Sequence, residues 1–199
     1  MLHPVPTLKE TPSQTAGPYV HIGLTPNFAE IRGVYPVDPG STMLTPDTRG
    51  ERITIAGRVL DGSGAAVNDA LIELWQADAD GSYAAPKGGF TGWGRQPANG
   101  EGAFSFETIK PGSVSGPDGK PMAPHVSLWI AARGINIGLQ TRLYFEDEAE
   151  ANARDFVLNK IMDTRRRATL IARKETGEVP RYVLDIHLQG DKETVFFDM

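Results

Sequence analysis

The fold is decided by a stretch that runs Arg52-Ile53-Thr54-Ile55-Ala56-Gly57-Arg58-Val59. Its apolar residues alternate with polar or small ones at a period of two, as on a β-strand with one buried face. A turn-forming run, Asp61-Gly62-Ser63-Gly64, follows directly. Similar short runs recur along the chain, at residues 70–76, 103–109, 125–132, 139–145, 182–188 and 194–197. This pattern predicts a mainly β protein, organised as an antiparallel β-sandwich.

Two segments and the N-terminal region depart from the strand pattern. Residues 146–153 are acidic and rich in helix formers, and a second short helix is expected from 159 to about 166. The first 50 residues show little periodicity and are punctuated by eight prolines, each of which favours extended backbone. We therefore expect residues 1–50 to form an extended arm that lies on a surface, and residues 51–199 to form the β domain.

Composition excludes several classes of protein. The chain has 199 residues, a formal net charge of −5, no cysteine and four histidines. It can form no disulfide framework and no cysteine-ligated metal site. The mild acidity argues against a protein that coats nucleic acid or an anionic membrane. The sequence starts without the features of a signal peptide and has no apolar run of membrane-spanning length, so a cytoplasmic location is expected.

The residues alone do not reveal a complete active site. The sequence lacks the nucleotide-binding and nucleophile-elbow motifs, and its histidines are not spaced as H-x-H or H-x-x-x-H. Arg133 is the charged residue of greatest interest, because it ends an apolar run and precedes Gly134. Its guanidinium could bind a carboxylate with two hydrogen bonds, or it could form an ordinary surface ion pair. Both interpretations stay open at this stage.

Several separated segments together resemble the intradiol ring-cleaving dioxygenases. They are the T-P-S-Q-T-A-G-P-Y run at 11–19, the L-W-Q-A-D-A-D-G-S-Y run at 74–83 and T-I-K-P-G at 108–112. The A-R-G-I-N-I run at 132–137 and the E-T-V-F-F-D ending at 193–198 resemble one branch of that family. In this branch the enzyme is built from two kinds of chain. The resemblance covers nearly the whole sequence and keeps the order of the segments.

The resemblance implies a ligand set that this chain only half preserves. In the family, iron(III) is held by two tyrosines and two histidines. Tyr83 and His125 stand at two of these positions, whereas Val114 and Ser127 stand at the other two. Valine has no donor atom and serine is a poor ligand for ferric iron. We therefore expect this chain to hold no metal, no cofactor and no catalytic residue of its own, and the Fe(III) to belong to a partner chain.

The resemblance also implies which residues of this chain serve the reaction. In the two-chain branch the active site lies between the chains, and the iron-free chain lends residues from its Q-T-A-G-P-Y stretch and its R-G-I-N loop. The corresponding substrate-binding residues here are Thr15, Gly17, Pro18, Tyr19 and Arg133. The expected partners are an iron-bearing chain, a small aromatic substrate with a carboxylate and O₂, within a higher-order assembly of chain pairs. The N-terminal arm would then pack on the partner subunit.

Two other functions remain as alternatives. One is a self-sufficient intradiol dioxygenase acting on catechol or hydroxyquinol through an unusual iron site. The missing second tyrosine and second histidine count against it. The other is a noncatalytic β-sandwich binding module, which would be stable as a single chain without a dioxygenase partner.

Overall fold

Strands dominate the protein. The computed structural model describes residues 15–17, 19–83, 89–117 and 119–198. The strands are β1 (Arg52–Leu60), β2 (Leu71–Gln76), β3 (Trp93–Pro97), β4 (Ala103–Ile109), β5 (Val114–Ser115), β6 (Pro121–Met122), β7 (His125–Ala131), β8 (Leu139–Phe145), β9 (Ile171–Glu175), β10 (Arg181–Val183) and β11 (Ile186–His187). The helices are α1 (Tyr19–Leu24), α2 (Ala149–Asn152) and α3 (Thr164–Ala168), with 3₁₀ turns at Glu146–Glu148 and Leu158–Lys160.

Nine of the described strands form one mixed sheet, and β5 and β6 form a separate ribbon. From one edge the order is β3-β2-β7-β8-β9-β10-β1-β4, with β11 beside β10 along the same side of β1. The two outer strands approach each other, since a Cβ built on Gly94 of β3 would lie 3.0 Å from Cδ1 of Phe106 of β4. The sheet is therefore nearly closed around its core.

The prediction of a mainly β fold is confirmed, and the sheet adds parallel pairs to the antiparallel ones. Among the described strands, β1 runs parallel to β10 and β11, and β8 runs parallel to β9. Parallel neighbours require a crossover connection. The helical segment between β8 and β9 supplies one such crossover. It contains the helix predicted at 146–153, as a 3₁₀ turn followed by α2, whereas the second predicted helix is divided into the 3₁₀ turn at Leu158–Lys160 and α3.

Four of the described strands, β3, β5, β6 and β9, were not predicted from the sequence, and one predicted strand is absent. β3 reads W-G-R-Q-P and β9 reads I-A-R-K-E, and neither shows a clear apolar alternation. Residues 194–197 form only an isolated bridge between Phe197 and Gln140. The predicted strand at 182–188 is divided into β10 and β11 at Leu184 and Asp185. The Leu184 N–H still donates to the Ala56 carbonyl, but the Asp185 carboxylate accepts hydrogen bonds from the backbone N–H and the side chain of Arg58.

The core lies inside the curved sheet and includes Ile55, Leu74, Leu128, Leu143 and Tyr182, all at most 1% exposed. Burial of each such side chain contributes about 1.5–3 kcal/mol.

Gly57 of β1 is packed against backbone, because a Cβ at this position would collide with the carbonyl oxygen of Leu184. A side chain there would separate β1 from the link between β10 and β11.

The region predicted as an N-terminal arm has more structure than an extended chain. Residues 19–24 form helix α1. Further on, the buried Asp38 carboxylate accepts the backbone N–H groups of Asn27 and Phe28, each at 2.9 Å. Met43 is part of the main core. The second half of this region is therefore packed on the sheet, while its contact with a partner stays a prediction.

An ion cluster joins the end of β8 to β9 and β10. The Asp147 carboxylate accepts hydrogen bonds from Lys110, Lys174 and the hydroxyl of Tyr182, at 3.1, 2.8 and 2.8 Å. Burial opposes ionisation of Asp147, but these three hydrogen bonds outweigh it and bring its pKa down to about 2. The cluster therefore stabilises the fold only while Asp147 is ionised.

Candidate functional site

The structure brings together the two segments that the sequence marked for substrate binding. Ala16 forms a parallel β-bridge with Arg133, and its N–H donates to the carbonyl of Ile135 at 3.3 Å. The Gly134 N–H donates to the hydroxyl of Thr15 at 2.9 Å. We call residues 15–17 and 133–135 the rim. The rim joins residues far apart in the sequence, as an active-site edge built from both segments requires.

Arg133 is held by one partner and points its remaining donors outward. Its Nε donates to Oδ2 of Asp69 at 2.8 Å, and its side chain is 63% exposed while that of Asp69 is 11% exposed. Within the described residues, its two terminal amino groups make no hydrogen bond. Asp69 therefore orients the guanidinium without occupying the pair of donors that bind a carboxylate with two hydrogen bonds.

The other predicted substrate-binding residues differ in how far the structure describes them. A Cβ added to Gly17 would meet no atom within 4 Å, so this chain alone leaves space around it. Tyr19 begins α1 and is 80% exposed. Thr15 uses its hydroxyl within the rim, and Pro18 lies outside the described residues. The surface around the rim is thus open on the described side.

Of the four ligand-equivalent positions, His125 and Ser127 lie on β7, Val114 begins β5, and Tyr83 lies in the loop after β2. Ser127 pairs with Trp75 of β2, and the Trp75 ring is stacked parallel to that of Tyr83 with centroids 6.4 Å apart. The loop before Tyr83 packs against the backbone preceding Val114, through Gly81. A positive φ of +77° and this close approach both favour glycine at position 81.

His125 is set up as a metal-binding histidine would be. The ring is buried, and its Nδ1 lies 2.8 Å from the carbonyl oxygen of Ala123. A carbonyl only accepts, so Nδ1 carries the hydrogen and Nε2 keeps its lone pair. Burial lowers the pKa of His125, and the nearby Arg142 lowers it further. The neutral imidazole is therefore favoured.

Tyr83 is the second residue that retains a ligand group. It is 46% exposed. Burial of its other face raises the pKa of the phenol, while the positive charge of Arg142 acts in the opposite direction. A tyrosine must lose its proton to bind ferric iron, so the phenol remains a ligand only if a cation drives ionisation.

The complete donor set does not fit ferric iron. Val114 is buried in an apolar cluster with Ala77 and Met122, where it offers no donor. Ser127 offers only a hydroxyl. The structure groups no three His, Cys, Asp or Glu side chains as metal ligands within the residues it describes. This chain has two of the four expected ligands, and a charged arginine lies beside them.

A buried hydrogen-bond network lies next to His125 and involves Ala123 and Tyr144, which both contact its ring. Asp155 is fully buried and accepts from the N–H groups of Ala123, Val157 and Leu158, each at 2.9 Å, and from the hydroxyl of Tyr144 at 3.2 Å. Burial raises the pKa of Tyr144 well above its usual value, so this phenol stays protonated and donates.

Asp69, Asp155, Arg142 and Tyr144 were not recognised from the sequence. Two of them had a usable signal, because Arg142 and Tyr144 alternate on β8 and pair with Ser127 and His125. Knowing that register would have placed both beside the ligand-equivalent positions. Asp69 and Asp155 lie in loops, where the sequence gives no comparable pattern.

Within the part of the chain that the structure describes, no helix has the length and apolar character needed to cross a membrane.

Comparison with known proteins agrees with this geometry. A family model described as "Dioxygenase" matches residues 25–190. The chain is 47% identical to the protocatechuate 3,4-dioxygenase alpha chain of Pseudomonas putida, across 98% of this chain and 99% of the relative. It is 40% identical to the alpha chain of Burkholderia cepacia, across 97% and 99%. The beta chain of the Burkholderia cepacia enzyme is 41% identical over 73% of this chain and 67% of the relative.

Solved structures show the same architecture. The dioxygenase domain of a carbohydrate-binding fusion protein from Streptomyces sp. SirexAA-E has a TM-score of 0.60 and 26% identity, covering 80% of this chain and 95% of that one. Catechol 1,2-dioxygenase from Acinetobacter sp. ADP1 also has a TM-score of 0.60, at 18% identity, covering 80% and 60%. This second likeness concerns the fold alone. The full-length relatives and the family model show that the chain belongs to the intradiol dioxygenase family.

Proposed function

We propose that this chain is the alpha subunit of a protocatechuate 3,4-dioxygenase and lines the substrate site of an iron-bearing beta subunit. The full-length similarity to two alpha chains supports this role. A related beta chain provides the kind of partner that the role requires. The observation that carries the proposal is the rim, where Thr15–Gly17 meet the loop that presents Arg133.

The reaction is the O₂-dependent intradiol cleavage of protocatechuate to 3-carboxy-cis,cis-muconate, a step of aromatic catabolism in the β-ketoadipate pathway. Iron(III) on the beta subunit would supply the activation of the catechol ring toward O₂. This chain contributes binding and orientation. Arg133 donates to the substrate carboxylate, Asp69 fixes the direction of its guanidinium, and Gly17 gives the backbone room to approach the ring.

The N-terminal region then serves the assembly. Apolar side chains stand exposed along it, at Tyr19, Phe28, Val34, Tyr35 and Val37. Contact with the beta subunit would bury them and complete the substrate site beside the rim. We infer that residues 1–50 contact the partner in this way and that alpha–beta pairs associate further.

The two alternative functions are less well supported. A self-sufficient dioxygenase needs a full ligand set, and Val114 and Ser127 do not provide one. A binding module without an oxidative role does not explain the full-length similarity to dioxygenase alpha chains.

The test is steady-state kinetics of the co-expressed complex with Arg133→Ala. Loss of charge-assisted hydrogen bonds of about 1.5–3 kcal/mol should raise the KM for protocatechuate about 10- to 150-fold. Catechol, which lacks the carboxylate, should show little change. Arg58→Ala is the matched control, since Arg58 is also exposed and paired with an aspartate but lies on β1. An equal effect of Arg133→Ala on both substrates would refute the carboxylate role.

Iron content gives an independent check. The complex should contain iron, and the alpha chain purified alone should be colourless and free of stoichiometric iron. Ring cleavage by the isolated chain would refute the proposed division of labour.

A further inference from the structure

Arg142 lies where the ligand-equivalent positions converge. It is on β8 directly opposite Ser127, and the next residue on the same face, Tyr144, is opposite His125. Nη1 of Arg142 donates to the hydroxyl of Tyr144, whose ring centroid lies 5.6 Å from that of His125. Arg142 therefore lies beside two of the four ligand-equivalent positions, and one of them is Ser127, where the family has a histidine.

The arginine is fixed in place by neighbours that form no direct ion pair with it. Its Nη1 donates to the hydroxyl of Tyr144 at 3.3 Å, and its guanidinium carbon lies 6.0 Å from the ring centroid of Phe197. Tyr144 is itself held by the buried Asp155. No carboxylate among the described residues forms an ion pair with Arg142. Asp155 reaches Arg142 only through the Tyr144 hydroxyl, so a guanidinium without a direct ion pair stands near His125.

A guanidinium at this position disfavours a trivalent cation beside it. Like charges at short distance repel strongly where water is partly excluded. The hydrogen bond between Nδ1 of buried His125 and the Ala123 carbonyl leaves Nε2 as the nitrogen that could bind a metal. The chain therefore keeps a ligand-ready histidine but places a fixed cation next to it, and arginine cannot lose its proton to accommodate a metal.

We propose that Arg142 is the residue that excludes ferric iron from this chain, so that metal loads only into the partner. The missing donors lower the affinity, and the guanidinium makes the position repulsive to any multivalent cation. This inference rests on the proposed ligand-equivalent positions and is independent of substrate binding at Arg133.

The test uses the full chain without its partner, so it does not depend on the assembly or on activity. Ser127→His restores an H-x-H pair at a half-buried, outward-facing position. This variant is compared with Ser127→His/Arg142→Gln and with Ser127→His/Arg142→Lys, which keeps the positive charge. The measurements are ferric iron per chain after loading and dialysis, and the visible absorption of ferric tyrosinate from Tyr83.

The glutamine double variant should retain close to one iron per chain and become coloured. Ser127→His alone and the lysine double variant should each retain less than one-tenth as much. Equal iron in all three variants would overturn the proposal, as would a lysine variant that loads as well as the glutamine variant. Failure of the glutamine variant to exceed Ser127→His would do so too.

Circular dichroism would reveal a folding defect in any of these variants. A second measurement, on a variant with one substitution only, tests the proposal even if a double variant fails to fold. Cu²⁺ titration of the single variant Arg142→Gln should give a Kd at least tenfold lower than that of the unaltered chain. An unchanged Kd would overturn the proposal. Because neither experiment involves substrate or the beta subunit, its outcome is separable from that of the Arg133 kinetics.

Discussion

Replacing Asp155 by alanine should destabilise the protein by about 4–6 kcal/mol. The carboxylate is completely buried and accepts four hydrogen bonds, from the N–H groups of Ala123, Val157 and Leu158 and from the Tyr144 hydroxyl. Hydrogen bonds to a charged group contribute about 1.5–3 kcal/mol each, and bonds that share one acceptor are not additive. Alanine would leave all four donors buried without this acceptor. The expected loss is a large fraction of the free energy of unfolding of a typical protein, about 5–15 kcal/mol.

The assay is urea unfolding of the full chain followed by tryptophan fluorescence, with stability extrapolated to zero denaturant. Asp155→Asn is the conservative variant. It keeps an oxygen acceptor for three donors but turns an amide toward the Ala123 N–H, and should lose about 1–3 kcal/mol. Asp163→Ala is the matched control, because Asp163 caps α3 at an exposed position through the Arg165 N–H. That variant should lose about 1 kcal/mol. If Asp155→Ala loses no more than Asp163→Ala, the reasoning about the buried network is wrong.

Two further predictions concern the sheet and the ion cluster. Gly57→Ala should lower stability by at least about 2 kcal/mol, because its Cβ would meet backbone; Gly23→Ala, in open space on α1, should be neutral or stabilising by up to about 1 kcal/mol. Similar thermal midpoints for the two variants would contradict this. Asp147 has a pKa lowered to about 2, so its contribution is nearly complete above about pH 5 and is lost as the pH falls through 2. Asp147→Asn should therefore lose about 1 kcal/mol at pH 7, after allowance for solvent screening, and only a small fraction of that at pH 2. A loss that does not depend on pH would count against the ionic cause.

The sequence predicts strands that show a local alternation of apolar residues. It does not predict strands or site residues whose position is set by pairing with distant parts of the chain. The alternation around Ile55 identified β1, but β3 has no such alternation because its place at the sheet edge is fixed by pairing with β2. At the site, Arg133 and the two retained ligand residues were recognised because they belong to segments with a characteristic order. Arg142 and Asp155 were not, since their importance comes from neighbours that only folding brings close.

The position of β1 has a consequence for the order in which the protein forms. β1 pairs with β4 on one side and with β10 and β11 on the other. During synthesis, the β1–β4 pair can form early, but the opposite side of β1 remains without its partners until residues 181–187 emerge. Contacts so distant in sequence make closure of the sheet a late step. We therefore expect subunit assembly to follow synthesis of nearly the whole chain. Until then, the side of β1 that later pairs with β10 and β11 is an exposed strand edge that could pair with another chain.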